Sequence, residues 1–281
     1  MRVAIGVGEL HVERFGFGDR PVVLLHGFGT SSFLWRHVAP LLPLGRVTAL
    51  AVDLFGHGAS DRVTDADYGV LAQVDYIERA MGALSLDRAD LVGVDLGGIV
   101  ALALAARRAL RVRSLVLINP PAPDHIRCDA LAELRRLAAR RLLESSRGML
   151  GAAAVLGPIL EGSVAAPERM PRTLVARYGA TFVGSDGVRH LMELERAVND
   201  RALERVHWSG VTVPTLVVRG DQDKWVKAEV SAALASRLAR GELRRLSGSA
   251  RLTPEDVPES LAGLLTDWLD RNDRSAVAPQ P

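Results

Sequence analysis

The sequence predicts an α/β fold: a mostly parallel, doubly wound sheet carrying one helical insertion. Three observations predict it. Short, almost continuous Val/Leu/Ala runs recur along the chain, as strands covered on both faces require. Longer stretches with helical spacing alternate with them, and strand, helix, strand in that rhythm marks parallel crossover units. Between Pro120 and Trp208 the rhythm stops. There Leu, Ala and Arg repeat at helical spacing, as at Leu131, Leu134, Leu137 and Leu142, with no strand-like run.

The elements follow in order. Arg2 to Ile5 and Glu9 to Phe15 are expected to pair as an antiparallel edge ahead of the turn Gly16-Phe17-Gly18-Asp19. Buried strands are expected at Val22 to Leu25, Val47 to Val52, Leu91 to Val94, Leu115 to Ile118 and Thr212 to Val218, with a weaker one at Glu242 to Leu246. Helices are expected at Ser32 to Leu42, Leu71 to Leu84, Gly97 to Leu110, Ala228 to Ala239 and Pro258 to Leu269. This divides the chain into a core, 1–120 and 209–271, a helical cap, 121–208, and a polar tail, 272–281, expected to be disordered.

Composition narrows the function classes. The 281 residues are 48% hydrophobic and 24% charged, enough for one large core and unlike disordered or disulfide-scaffold chains. The net charge is only +2, and no basic block with interleaved aromatics occurs, so no nucleic-acid partner is expected. All but Lys224 and Lys227 of the 35 basic residues are arginine, which reads as genomic base composition. The lone Cys128 excludes an internal disulfide. No window approaches the length of a membrane span, and the N-terminal residues show no apolar leader core. A cytoplasmic protein acting on a small-molecule substrate is expected. No cofactor is implied, and no metal site, since no His/Cys/carboxylate cluster has ligand spacing.

Chemistry concentrates in four segments. In Leu91-Val92-Gly93-Val94-Asp95-Leu96-Gly97-Gly98 a buried strand ends in G-x-D-x-G and enters an Ala/Leu helix. Small residues around so sharp a turn push the central side chain up at the carboxyl edge of the sheet. The helix aims its first amides at the same point, favouring an anion. The other three are Val22-Val23-Leu24-Leu25-His26-Gly27-Phe28-Gly29, Val52-Asp53-Leu54-Phe55-Gly56-His57-Gly58-Ala59-Ser60-Asp61, and Pro214-Thr215-Leu216-Val217-Val218-Arg219-Gly220-Asp221-Gln222-Asp223.

In order and spacing these four segments resemble the α/β-hydrolase superfamily over roughly residues 9 to 270. The resemblance implies an elbow nucleophile at Asp95, oxyanion-hole amides from Phe28 and Leu96, a triad acid at Asp223, and a cap over the pocket. His26 and His57 are expected to bond backbone and shape their turns. Asp221 is a further candidate for the acid.

One departure shapes the functional expectation. The family carries a histidine between the last strand and the final helix. Counting back from Pro258-Glu259 puts Arg251 there, and no histidine follows His207. Arginine keeps its proton, so it cannot serve as a general base. The Asp-elbow relatives also differ in detail: haloalkane dehalogenases place a tryptophan where Leu96 stands, and epoxide hydrolases use two cap tyrosines where this cap has only Tyr178. Asp95, Arg251 and Asp223 then suit a lyase or cyclase, with Asp95 as base and Arg251 as clamp for a substrate anion. By analogy with other members of the fold, this includes elimination of acetate from an acylated, enolisable intermediate in antibiotic or other specialised metabolism. The alternatives are a hydrolase with Asp95 as nucleophile, of the epoxide hydrolase or dehalogenase kind, and an inert binding protein. Trp225 and Tyr178 are expected to contact substrate.

Overall fold

The computed structural model describes residues 1–121, 136, 152–198, 203–204 and 206–274. Cys128 and the repeat from Leu131 to Leu142 lie outside the described residues. The sheet has eight strands: β1 (Arg2–Ala4), β2 (Glu9–Phe15), β3 (Arg20–Leu25), β4 (Val47–Val52), β5 (Ala89–Val94), β6 (Val112–Ile118), β7 (Thr215–Gly220) and β8 (Gly241–Leu246). Their order is β1-β2-β4-β3-β5-β6-β7-β8. The β1–β2 and β2–β4 pairs are antiparallel, as the early segments predict, and every other pair is parallel.

The central strands owe their uniform apolarity to two-sided cover: every residue of β4, β5 and β7 is buried. Helices α1 (Val70–Ala83) and α2 (Leu96–Arg107) pack on each other, and α2 lies against β5 and β6. The first ten residues of α2 are all buried, which accounts for its lack of a polar face. Across the insertion run α3 (Ala153–Glu161), α4 (Arg172–Gly179) and α5 (Gly184–Ala197), with no strand among the described residues there. Helix α6 (Ala228–Arg237) packs on β7 and β8, the single turn α7 (Thr253–Asp256) follows β8, and α8 (Pro258–Arg274) contacts β6.

Three expectations need correction. The helix expected from Ser32 to Leu42 is two short 3₁₀ turns, Ser32–Trp35 and Ala39–Leu41, because Pro40 has no N–H to carry a helix across the gap. Strand β7 starts at Thr215, since Pro214 cannot donate to a ladder. The last helix enters the expected tail and runs to Arg274; 275–281 lie outside the described residues. Beneath the sheet, Arg20 forks onto Asp90 at 2.6 and 3.0 Å and donates to the Leu269 carbonyl, tying α8 to the strands. No helix among the described residues is long and apolar enough to cross a membrane.

Candidate active site

The site lies at the carboxyl ends of β3, β5, β7 and β8. Asp95 follows β5 with φ +50° and ψ −115°, a sparsely populated backbone region that costs a non-glycine residue roughly 1–3 kcal/mol. Close packing maintains it. A Cβ on Gly93 would lie 2.3 Å from the Gly97 carbonyl oxygen, and one on Gly97 would lie 2.5 Å from that of His26. The Asp95 N–H donates to Ile118 at 2.9 Å, and its carbonyl accepts from Ile99, opening α2.

The carboxylate of Asp95, 3% exposed, is held unevenly. Oδ2 accepts a hydrogen bond from the Phe28 amide at 3.0 Å and another from Arg251 Nη2. Oδ1 makes no hydrogen bond among the described residues. The Phe28 amide, expected to face a substrate oxyanion, is therefore engaged by Asp95 itself. Leu96 heads α2 directly after Asp95, but the second donor on Oδ2 is Arg251.

Arg251 is 1% exposed and reaches Asp95 from the loop after β8, three strands along the sheet from β5. Asn119, at the end of β6 with φ +44°, makes that path possible. Its Nδ2 donates to the carbonyls of Ala250 and Arg251 at 2.8 and 3.1 Å and to Thr253 Oγ1 at 2.9 Å, while its Oδ1 accepts from the Gly220 amide at 2.8 Å. Asp256 fixes the same loop by accepting from the Ala250 amide at 2.8 Å and the Ala165 amide at 2.9 Å. Arg251 Nη1 donates to Ser163 Oγ at 3.1 Å, in the turn after α3. Sequence reasoning misses Asn119 and Ser163. An Asn closing a strand just before Pro120-Pro121 was a usable signal for the first; the second had none.

Asp223 lies on the loop after β7. Its Oδ1 accepts from the amides of Trp225 and Val226 at 2.8 and 3.3 Å, and Oδ2 is buried without a hydrogen-bond partner. Burial pushes its carboxyl above the usual aspartate range, against the pull of those amides and of the charges on Arg251 and Arg219. Arg251 thus bonds Asp95 and Ser163, and acts on Asp223 through space.

Trp225 and Tyr178, the two residues expected to contact substrate, each bridge the insertion and the core by placing a polar hydrogen. Trp225 Nε1 donates to the Gly162 carbonyl at 2.9 Å. The Tyr178 hydroxyl donates to Glu255 Oε1, and Arg36 clamps the same carboxylate with two bonds of 2.7 Å. Both contacts join the insertion to core loops.

The two loop histidines are turn-formers. His26 Nδ1 donates to the Gly27 carbonyl at 2.8 Å and Nε2 accepts from the Leu54 amide at 3.0 Å. His57 packs on His26 and Phe28, with ring centroids 5.2 and 6.0 Å apart, and burial pushes it down to about 3. Among the described residues no group of three His, Cys, Asp or Glu side chains could hold a metal ion.

Residues 20–256 match the family model for the alpha/beta hydrolase fold. The chain is 31% identical over 295 residues to a 2-hydroxymuconate semialdehyde hydrolase of Pseudomonas sp. (strain CF600), covering 98% of this chain and 95% of that one. It is 27% identical over 279 residues to a haloalkane dehalogenase of Bradyrhizobium diazoefficiens, covering 90% and 88%. The crystal structure of a haloalkane dehalogenase from Bradyrhizobium elkani superposes with a TM-score of 0.81 at 26% identity, over 98% of each chain.

Proposed function

Because the chain belongs to the α/β-hydrolase fold family, we propose that it is a hydrolase of small molecules that uses Asp95 as nucleophile and works without a histidine. The uneven hold on the Asp95 carboxylate carries this reading: Oδ2 is fixed by the Phe28 amide and Arg251, and Oδ1 is left for attack. Oδ1 forms a bond to an electrophilic carbon, as in an epoxide or a haloalkane, and the leaving group departs with its electron pair. In the resulting ester Oδ2 is the carbonyl oxygen, already on two donors. Water adding to Cγ places negative charge on that oxygen, where a preorganised amide and a cation stabilise it. Asp223, with its unpartnered Oδ2, accepts the proton of that water. Collapse delivers that proton from Asp223 to the departing oxygen, freeing the product alcohol, and the Asp95 carboxyl loses its own proton to solvent, which restores both carboxylates. The helices between 152 and 198 serve as the cap that selects the substrate. Support comes from the relatives named as a hydrolase and a dehalogenase.

A second reading is favoured by the lack of any histidine after His207. Asp95 acts as base in an elimination, with Arg251 holding an anion, so no ester has to be hydrolysed. One experiment separates the two. The protein is incubated with terminal epoxides, primary haloalkanes and acylated β-hydroxy ketones, with intact-mass and peptide analysis alongside product assay. An ester on Asp95, absent in Asp95→Asn, supports the nucleophile. Elimination product with no adduct at any time supports the base. Neither adduct nor product with any probe removes both.

A further inference from the structure

We propose that the open edge of β8 is the interface of a two-fold symmetric dimer, in which β8 pairs antiparallel with β8 of a second copy. The β8 edge ends the sheet and spans six residues, Gly-Glu-Leu-Arg-Arg-Leu, with no proline and no register shift against β7. Edges of this kind are templates for pairing unless they are blocked. The opposite edge, β1, has only three residues.

The backbone fixes which groups face outward. Thr215 N–H donates to the Arg240 carbonyl at 2.9 Å and Asp221 N–H to that of Leu246 at 3.0 Å. Bonding residues alternate along a strand, so Arg240, Glu242, Arg244 and Leu246 face β7. Leu243 and Arg245 turn their N–H and C=O outward, as does the Gly241 carbonyl, while the Gly241 N–H donates to the Leu238 carbonyl at 3.1 Å. In a two-fold pairing, outward residues must meet outward residues, which restricts the registers to steps of two.

Charge selects among them. Centred on Leu243, the pairing sets Leu243 against Leu243 of the second copy, Gly241 against Arg245, and Glu242 against Arg244. The last is a non-hydrogen-bonded pair, where side chains approach most closely, and symmetry makes it twice. One step towards the N-terminus sets Glu242 against Glu242 and Arg244 against Arg240. One step the other way sets Arg244 against Arg244. Of these three registers only the Leu243-centred one joins opposite charges; a Gly241-centred pairing would set Glu242 against Arg240, but it overlaps the two strands at one residue alone. Among the described residues of one chain Glu242 has only long, exposed contacts, 3.4 Å to Arg244 and 3.3 Å to Arg271, which leave it available for exchange. The Arg245 side chain is exposed.

The test is a charge swap on the full chain. Sedimentation and light scattering over a concentration series are expected to show a reversible dimer. Glu242→Arg and Arg244→Glu each place like charges together twice and should weaken it about tenfold or more. An equimolar mixture of the two variants restores both opposite pairs and should form the heterodimer at wild-type strength, as should the double variant with itself. Hydrogen exchange is expected to show concentration-dependent protection at the amides of Leu243 and Arg245 and none at Glu242 and Arg244. A wild type that stays monomeric at every concentration overturns the proposal. So do single variants that dimerise like wild type, or a mixture no stronger than its components. Circular dichroism and melting of each variant separate misfolding from loss of pairing.

Discussion

Ser163 Oγ accepts a hydrogen bond from Arg251 Nη1 at 3.1 Å, and its carbonyl accepts another from the Leu252 amide at 2.8 Å. A residue of the insertion thereby orients the guanidinium that holds Asp95. Ser163→Ala should cost about 1 kcal/mol of stability and free the guanidinium to turn. We expect slower alkylation of Asp95 by an epoxide probe, read by intact mass, with Ser163→Thr restoring the rate. Equal alkylation rates for wild type and Ser163→Ala would deny Ser163 a positioning role.

Arg251 should resist replacement. Arg251→Ala leaves the buried Asp95 carboxylate without its cation, a change that typically costs about 3–5 kcal/mol. Arg251→Lys keeps the charge but cannot bridge Asp95 and Ser163 together, and kcat/KM should fall about tenfold to a hundredfold. Arg251→His should fall as far and gain little, because the ester oxygen loses its cationic donor. Identical rates for all four proteins would remove Arg251 from the mechanism.

Asp223→Asn should separate the two halves of the proposed reaction. Attack by Asp95 survives, and the ester accumulates because no base receives the water proton. In the wild type, hydrolysis of that ester should decline as the pH falls through a value above the ordinary aspartate range, since burial raises Asp223. Single-turnover mass spectrometry across pH reads both effects. Rapid turnover by Asp223→Asn would show that the proton goes elsewhere.

Stability should decline on the acid side in two stages. His57 is held down to about 3, so between pH 6.5 and 3 only the unfolded chain takes up its proton, and stability falls with pH across that window. Asp53 is held at about 2, with His11, Ser32 and Ala59 donating to its carboxylate. Its contribution is full above pH 4 and is lost towards pH 2. Each group adds a slope of up to about 1.4 kcal/mol per pH unit within its window. Urea melts from pH 8 to 3 should show the decline, and His57→Gln should flatten it between pH 6 and 4. Parallel profiles for the two proteins would contradict this account.

The strands were legible because burial on both faces leaves no polar residue to confuse the pattern, as in Val47 to Val52. The elbow was legible because Gly93 and Gly97 have no room for side chains. Pro40 and Pro214 carried readable punctuation that the hydrophobic period outweighed. The asymmetry at Asp95 was not legible, since it depends on which guanidinium nitrogen points where. The bridges made by Tyr178 and Trp225 were not legible either, since nothing in the sequence pairs their hydroxyl and ring N–H with Glu255 and Gly162.

The net that Asn119 and Asp256 cast over the loop after β8 grips only main-chain atoms of Ala250 and Arg251, plus the Thr253 hydroxyl. The side chain at 251 takes no part in it. The loop is therefore a socket whose shape is independent of its contents, and a single codon change at 251 exchanges a titrating ring for a permanent cation while the backbone stays in place. In a scaffold built this way, the protonation chemistry of the centre is free to diverge faster than the fold that presents it.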